Sequence, residues 1–350
     1  MDNIKDYTLP ALTEWMAQRG EPAFRARQVF QWLYQRRVTG FEQMSNVARP
    51  LRRRLGESFS LGGMARQDVR HSRDGSVKYA LRLDDGQCIE AVLMPNDTHY
   101  TLCISTQVGC AMGCDFCMTA RMGLVRNLSA GEIVQQVVEA YGGVEEGGLI
   151  RNLVFMGMGE PLHNYDNLVR ALTILTEDHG FGFSWRRLTV STSGLVPAIR
   201  RFAADRLPAN LAISLNAVSD ETRARLMPVN RRWNIAALLD ACREIPKEPR
   251  VRITFEYVLL KGITDSLADA RKLVKLLHGI KCKVNLIPFN PWPGSTYEGP
   301  SLEHARAFQE ELLHRGLLTT LRISKGQDIQ AACGQLITAS PAARWRKVAG

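Results

Sequence analysis

Four of the eight cysteines in this 350-residue chain fall within fifteen positions, in the segment CISTQVGCAMGCDFCMTA at residues 103–120. Cys110, Cys114 and Cys117 have the spacing C-x3-C-x2-C on a predicted loop. Three thiolates on one loop can hold three irons of a 4Fe-4S cluster and leave the fourth iron without a protein ligand. A structural zinc site would need four closed ligands, usually from two cysteine pairs, and no second pair follows in this sequence.

The composition predicts a globular protein of a reducing compartment. The chain is 45% hydrophobic and has no apolar run near the ~18–20 residues of a membrane span. Its first residues, MDNIKDYTLPALTEW, include acidic side chains where a signal peptide is basic. We therefore predict a cytoplasmic protein with no membrane partner, whose clustered cysteines bind metal or react. The formal charge of +10 favours a polyanionic partner such as nucleic acid, although surface charge also serves solubility.

Residues 1–63 are predicted to form a small, basic helical domain. One helix is predicted in PAFRARQVFQWLYQRR, where apolar residues recur at helical spacing between basic side chains, and another in VARPLRRRLGE. A solvated basic bundle and an RNA-contacting domain fit this pattern equally well. The apolar positions of the first of these helices are Phe24, Val29, Phe30, Leu33 and Tyr34.

Residues 64–98 are predicted to form a β-hairpin that connects this domain to the rest of the chain. Two runs of alternating apolar and polar residues lie in SVKYALRLDDGQCIEAVLMP, on either side of the dipeptide Asp85-Gly86. This dipeptide suits a type I′ turn, which needs a positive φ at both central residues.

Residues 99–340 are predicted to form an α/β domain, followed by a basic tail at 341–350. Helical segments, the first capped by Ser129 and Glu132, alternate with six strand-like ones. This alternation predicts a parallel sheet. Because the polar and glycine motifs follow the strands, where α/β barrels build active sites, a partial (β/α)6 barrel is favoured over a doubly wound open sheet. The predicted strands are TLCISTQ, RNLVFMGMG, RRLTVSTSG, NLAISLNA, VRITFEYVLL and KVNLIPFN.

Glycine and polar residues at the ends of these predicted strands outline one pocket. Taken singly, each residue is of a type that turns and helix caps also use. Taken together at one edge of a parallel sheet, they indicate a binding site for a cofactor. The candidate cofactor-binding residues are Gly159, Glu160, Ser191, Ser214, Leu215, Asn216 and Asn290.

The cysteine spacing, with the aromatic Phe116 before the last cysteine, resembles the signature of the radical S-adenosylmethionine superfamily. The segments GCAMGCDFCMTA, NLVFMGMGEPL, STSGLVP, NLIPFNP and DIQAACGQL further resemble the RlmN and Cfr family of RNA methyltransferases, over about residues 20–340. The resemblance implies a radical S-adenosylmethionine barrel with a 4Fe-4S cluster on Cys110, Cys114 and Cys117. It also implies that S-adenosylmethionine binds the open iron and the pocket residues above.

The resemblance implies a radical route for methylating an adenine ring carbon. Such a carbon has no lone pair, so it cannot displace the methyl group of S-adenosylmethionine in an ordinary substitution. Cys333 would carry a methyl group, a 5′-deoxyadenosyl radical would remove a hydrogen from it, and the methylene carbon would add to the ring. Glu90 would remove the ring proton, and Cys103 would attack Cys333 to release methylated RNA with a transient disulfide. Without the resemblance, the two cysteines would be interpreted as core residues and Glu90 as an outward-facing strand residue.

The implied product is 2-methyladenosine in 23S rRNA and in tRNA next to the anticodon. A Cfr-like enzyme acting on carbon 8 is the alternative, with Pro161 favouring carbon 2, and a non-enzymatic iron-sulfur or zinc RNA-binding protein is a second alternative. The basic N-terminal domain would bind RNA phosphates, an electron donor such as a flavodoxin system would reduce the cluster, and the chain would be a monomer. Cys88, Cys242 and Cys282 match no family role and are predicted to be structural.

Overall fold

The N-terminal part of the chain is a small helical unit. The computed structural model describes residues 1–246 and 252–338, so the predicted basic tail at 341–350 lies outside the described residues. Both predicted helices are present, a third precedes them, and two short parallel strands pair with each other. The elements are β1 (Asp2–Asn3), α1 (Leu9–Ala17), α2 (Phe24–Tyr34), α3 (Arg49–Ser58) and β2 (Phe59–Ser60).

The apolar stripe of α2 forms the core of this unit. Val29, Phe30, Leu33 and Tyr34 are buried, as the helical spacing predicts. The placement of Phe24 on this stripe was wrong, because Phe24 is the first residue of α2 and is 47% exposed, with the guanidinium of Arg25 over its ring.

Twelve further strands follow in the described part of the chain, and ten of them form one sheet. In chain order they are β3 (Ala65–His71), β4 (Val77–Arg82), β5 (Cys88–Pro95), β6 (Tyr100–Cys103), β7 (Gln107–Gly109), β8 (Leu124–Asn127), β9 (Ile150–Phe155), β10 (Leu188–Thr192), β11 (Asn210–Ser214), β12 (Ile253–Leu259), β13 (Cys282–Pro288) and β14 (Thr319–Leu321). The sheet order is β14-β13-β12-β11-β10-β9-β6-β5-β4-β3, and β7 pairs separately with β8.

The parallel part of the sheet confirms the six predicted strands, which are β6 and β9 to β13, and β14 extends it as a seventh. Helices connect the parallel strands, and the capping box of Ser129 and Glu132 at the start of α5 is present as predicted. The helices are α4 (Met118–Arg121), α5 (Ala130–Ala140), α6 (Tyr165–Thr176), α7 (Val196–Ala204), α8 (Asp220–Leu226), α9 (Ile235–Glu244), α10 (Leu267–Leu277) and α11 (Leu302–His314). None of the described helices is long and apolar enough to cross a membrane.

The predicted hairpin exists, but its turn differs from the predicted type. Strands β4 and β5 pair up to Arg82 and Cys88, which leaves five residues in the loop. Only Gly86 has a positive φ, of 81°, whereas a type I′ turn needs two such residues. Asp85 instead accepts a hydrogen bond from the Gln87 N–H at 3.0 Å. Because β5 also pairs with β6, the hairpin continues the main sheet; the domain boundaries after residues 63 and 98 stay predictions.

The segment 322–338 leaves the edge strand β14 and crosses to the other side of the barrel mouth. It contacts the end of β13, where Asn290 donates to the Cys333 carbonyl at 3.3 Å. It contacts the cysteine loop, where the Met118 N–H donates to the Gly334 carbonyl at 2.8 Å. These bonds hold Cys333 over the mouth of the barrel.

Candidate active site

The carboxyl ends of the parallel strands surround a cavity of about 930 Å³, including its open mouth. The structure brings ten of the thirteen predicted site residues together here, whereas Glu90, Cys103 and Leu215 do not line the cavity. Leu215 is the exception among the cofactor candidates, because its side chain is fully buried behind the cavity wall. The predicted residues that line the cavity are Cys110, Cys114, Cys117, Gly159, Glu160, Ser191, Ser214, Asn216, Asn290 and Cys333.

The cysteine loop is shaped by the short β7–β8 pair. Gly109 has a φ of 73°, and a side chain there would collide with the Gly123 carbonyl. That carbonyl accepts a hydrogen bond from the Cys110 N–H at 2.9 Å, and the Cys117 N–H donates to the Cys114 carbonyl at 3.1 Å. The loop thereby presents three thiols to one side of the cavity.

The three thiols are ligands of the type that iron-sulfur clusters use. Burial raises the pKa of Cys110 to about 12, and it also raises the pKa values of Cys114 and Cys117. These thiols are therefore uncharged at neutral pH unless a metal centre draws off their protons. Within residues 1–246 and 252–338, no three Cys, His, Asp or Glu side chains gather closely enough to hold one metal ion. In a cluster each cysteine binds a different iron.

The glycines after β9 are required by packing. A Cβ on Gly157 would lie 2.7 Å from the Ile104 carbonyl oxygen, and one on Gly159 would lie 2.6 Å from the Gln107 Cβ. Gly159 also has a φ of +103°, which side chains rarely adopt. The end of β9 therefore packs directly on the chain that follows β6, and this brings Glu160 into the cavity wall.

Two buried carboxylates line the cavity. Glu160 accepts from the Leu162 N–H at 3.1 Å and the Ser193 N–H at 2.7 Å, and burial raises its pKa. Glu256 was missed at the sequence level; its Oε2 accepts from Ser191 Oγ at 3.0 Å, and burial raises its pKa too. The available signal was a carboxylate inside the apolar strand FEYVLL.

Unpaired polar atoms of the cavity wall are available to a ligand. Glu256 Oε1 and Ser193 Oγ are buried and have no hydrogen-bond partner within the described structure. Buried polar groups normally have such partners. The cavity therefore fits a ligand with ammonium or hydroxyl groups, as S-adenosylmethionine has.

Two asparagines predicted to bind the cofactor also hold the wall together. Asn216 has a φ of 58°, a conformation that asparagine tolerates, and its side chain accepts from the Val258 N–H at 2.9 Å. Asn290 donates to Ser324 Oγ at 2.9 Å as well as to the carbonyl of Cys333. Asn290 thus fixes the segment that carries Cys333.

Arg223 is a buried cation that sequence reasoning missed. Its side chain is fully buried in α8, and this burial lowers its pKa to about 10. Its guanidinium donates to Asn230 Oδ1 and to the carbonyls of Ser193, Ser214 and Leu215, at 2.7–3.0 Å. One side chain therefore braces the ends of β10 and β11, where predicted cofactor-binding residues lie.

We expect Arg223→Met to lower the free energy of unfolding by about 3–5 kcal/mol, because buried acceptors left without donors cost ~1–3 kcal/mol each. Denaturant unfolding followed by circular dichroism would measure this. Arg225→Met, on the exposed face of the same helix, is the matched control and should change the value by less than ~0.5 kcal/mol. Equal losses in both variants would contradict a bracing role.

Cys103, the last residue of β6, is close enough to Cys333 for the charge of one thiol to affect the other, and their pairing stays a prediction. Burial raises the pKa of Cys103 to about 12, and the charge of Cys333 raises it further. Arg322 acts in the opposite direction and lowers the pKa of Cys103. Its Nη1 also lies 4.0 Å from Glu256 Oε1. A guanidinium is therefore available to stabilise a thiolate at Cys103.

Glu90 is buried and faces the same side of the sheet as Cys103. Val92 pairs with Cys103, and residues directly opposite each other or two apart share a face. Glu90 Oε1 lies 3.0 Å from Lys78 Nζ, and Glu90 Oε2 accepts from the Ile337 N–H at 2.9 Å. Burial raises the pKa of Glu90, while Lys78 lowers it. The interpretation of Glu90 as an outward-facing residue is therefore wrong.

The remaining cysteines lie away from this cavity. Cys88, Cys242 and Cys282 do not line it, and all eight cysteines are free thiols. Cys88 Sγ lies 2.7 Å from Gln67 Oε1. Their structural role stays a prediction.

A partial barrel with three loop cysteines at its mouth is the architecture of the radical S-adenosylmethionine superfamily, whose family model matches residues 104–274. A second family model, the ribosomal RNA large subunit methyltransferase N-terminal domain, matches residues 2–61. A crystal structure of a radical SAM methyltransferase from Sphaerobacter thermophilus superposes with a TM-score of 0.91, at 45% identity, covering 96% of this chain and 99% of that one. These matches confirm the predicted fold class.

Two curated relatives are each named dual-specificity RNA methyltransferase RlmN. The protein from Syntrophotalea carbinolica is 50% identical, over 98% of this chain and 92% of its own length. The protein from Syntrophobacter fumaroxidans is 49% identical, over 95% of this chain and 97% of its own length. The chain therefore belongs to the RlmN family of dual-specificity RNA methyltransferases, which confirms the resemblance in its motifs.

Proposed function

We propose that this chain methylates carbon 2 of adenosine, both in 23S rRNA and beside the anticodon of tRNA. The observation that carries the proposal is the position of Cys333, which lines the same cavity as the three cysteines of the loop. A thiol that relays a methyl group must reach both cofactor and base, and this position permits it. The name of the relatives, dual-specificity RNA methyltransferase, supports two RNA substrates.

The cavity would hold both cofactors. Cys110, Cys114 and Cys117 would bind the 4Fe-4S cluster, and residues of the cavity wall would bind S-adenosylmethionine. When bound, the two cofactors would supply the radical chemistry that removes a hydrogen atom from the methyl group on Cys333. The wall residues proposed for S-adenosylmethionine are Gly159, Glu160, Ser191, Ser214, Leu215, Asn216 and Asn290, and Leu215 would contribute through its backbone.

The protein's own residues would complete the reaction. The methylene radical on Cys333 would form a bond to the adenine ring carbon, and Glu90 would accept the proton that this carbon loses. The one unpaired electron would pass back to the cluster that supplied it, which leaves a closed-shell thioether link between Cys333 and the base. The Cys103 thiolate then forms a bond to the Cys333 sulfur, and the bond from that sulfur to carbon breaks. The carbon keeps the electron pair and takes a proton, which gives the methyl product and a disulfide.

The basic N-terminal unit would bind RNA phosphates while the target base is splayed out into the barrel mouth. In α3, Arg49 and Arg53 are exposed. We further propose that the protein acts as a monomer in the cytoplasm and receives electrons from a donor such as a flavodoxin system.

Isomer analysis tests the proposed position of methylation. Unmodified 23S rRNA fragments and tRNA transcripts, treated with reconstituted enzyme, S-adenosylmethionine and a reductant, should yield 2-methyladenosine after digestion and chromatography against standards. Recovery of 8-methyladenosine would contradict the proposal and favour the Cfr-like alternative. Cys114→Ala is the matched control and should give neither isomer.

The non-enzymatic alternative makes a different prediction. An iron-sulfur RNA-binding protein would form no 5′-deoxyadenosine when reduced with dithionite in the presence of S-adenosylmethionine. We expect the wild-type chain to form it and the Cys114→Ala variant to form none.

A further inference from the structure

A second cavity occupies the opposite end of the barrel. It has a volume of about 1080 Å³, including its open mouth. The first residues of the parallel strands line it with polar side chains, among them Thr101, Asn152, Thr189 and Thr254. Barrel interiors are normally filled by branched apolar residues at these positions. Here the short polar side chains leave the interior open; we call this cavity the lower-barrel basin.

The lower-barrel basin carries uncompensated positive charge. Arg186, Arg187, Lys283 and Lys325 line it, and none of the described residues that line it is acidic. In the described ranges none of these four forms an ion pair with a carboxylate. Arg187 donates to Asn152 Oδ1 at 3.4 Å, and Lys325 donates to a backbone carbonyl. The guanidinium of Arg186 also lies over the ring of Trp185, 4.8 Å from its centroid. Several cations that line one polar cavity attract an anion, and a polyanion most strongly.

The basin adjoins the cavity that the cysteine loop lines. Met156 lines both cavities, so its side chain lies at their boundary. Arg322 also lines the basin and reaches towards Glu256 in the reaction cavity, with 4.0 Å between the ion-pairing atoms. An anion in the basin would therefore lie within a few side chains of Cys103 and Cys333.

We propose that the lower-barrel basin binds phosphodiester groups of the RNA substrate, on a segment away from the target nucleotide. This rests on the proposed function, because a 23S rRNA or tRNA substrate extends well beyond the base that enters the barrel mouth and carries phosphates that a second basic surface can bind. Such phosphate contacts position the RNA without reading its sequence. The basin thus adds a second RNA contact to the one proposed for the N-terminal unit.

The salt dependence of RNA binding tests this inference. We expect Arg187→Ala/Lys283→Ala to weaken binding of an unmodified tRNA transcript and to reduce the slope of log Kd against log salt by roughly 2, about 1 per lost phosphate contact. Lys272→Ala/Lys275→Ala removes the same charge from the outer helix α10 and should leave the slope unchanged. Thermal melting should show that both variants remain folded.

Two different results would distinguish a failure of the basin inference from a failure of the proposed function. If both double variants bind RNA with the wild-type slope, the basin does not hold the RNA and the inference is overturned, even when wild-type enzyme makes 2-methyladenosine. If wild-type enzyme makes no methyladenosine, the proposed function fails instead. Mass spectrometry should find the methyl group on Cys333 in the basin variant, since that step precedes RNA binding.

Discussion

Replacing Cys103 with alanine is expected to stop turnover and to leave the RNA covalently attached to Cys333. The cross-link can still form in this variant, because Cys333 and Glu90 are intact, but the thiol proposed to release it has been removed. Denaturing gel electrophoresis should show a protein-RNA adduct in about one copy per active site, and methylated RNA should not accumulate. Normal product without an adduct would remove Cys103 from the mechanism.

The pH dependence of release provides a second readout. The pKa of Cys103 is raised to about 12, so its reactive thiolate is a minor species at neutral pH and increases about tenfold per pH unit below the pKa. Release of the adduct in wild-type enzyme should therefore accelerate as the pH rises from 7 to 9. Arg322→Gln removes the charge that lowers this pKa, so release should slow at pH 7 and recover at higher pH. Cys103→Ala should not recover at any pH.

Local spacing carried most of what the sequence predicted correctly. The six parallel strands, the capping box of α5 and the three-cysteine loop each depend on residues a few positions apart, and all are present. The turn type was wrong because the side chain of Asp85 bonds the backbone of Gln87, which local dipeptide preference does not include. Strand β14 was missed because three residues carry too little periodicity to recognise.

Contacts between distant segments could not be predicted from the sequence patterns. Arg223 looks like one of several helical arginines in DETRARL, and only the fold shows that it donates to three carbonyls inside the wall. The role of Glu256 and the existence of the lower-barrel basin could not be predicted for the same reason, since strands far apart in the chain supply the residues around them. The family resemblance brought Cys103 and Cys333 together in prediction, which spacing could not do over 230 residues.

Replacing Glu90 with glutamine should lower the rate of product formation by about 10²–10⁴, the usual contribution of a positioned general base. Glutamine keeps the size of the side chain and can still accept from the Ile337 N–H, but it cannot take the ring proton. Because burial raises the pKa of Glu90, wild-type activity should fall as the pH drops through that raised value. The residual activity of Glu90→Gln should not show this fall at low pH.

Lys78, the ion-pair partner of Glu90, allows the chemical role of Glu90 to be separated from the structural role of Glu90. Glu90→Gln leaves Lys78 buried without a counter-charge, which should destabilise the fold by about 3–5 kcal/mol. The double variant Lys78→Met/Glu90→Gln removes both charges and should regain most of that stability. If the ion pair is needed only for folding, this variant will recover activity together with stability. We expect it instead to fold, to acquire the methyl group on Cys333 and to remain unable to release methylated RNA, because no carboxylate is present to accept the ring proton.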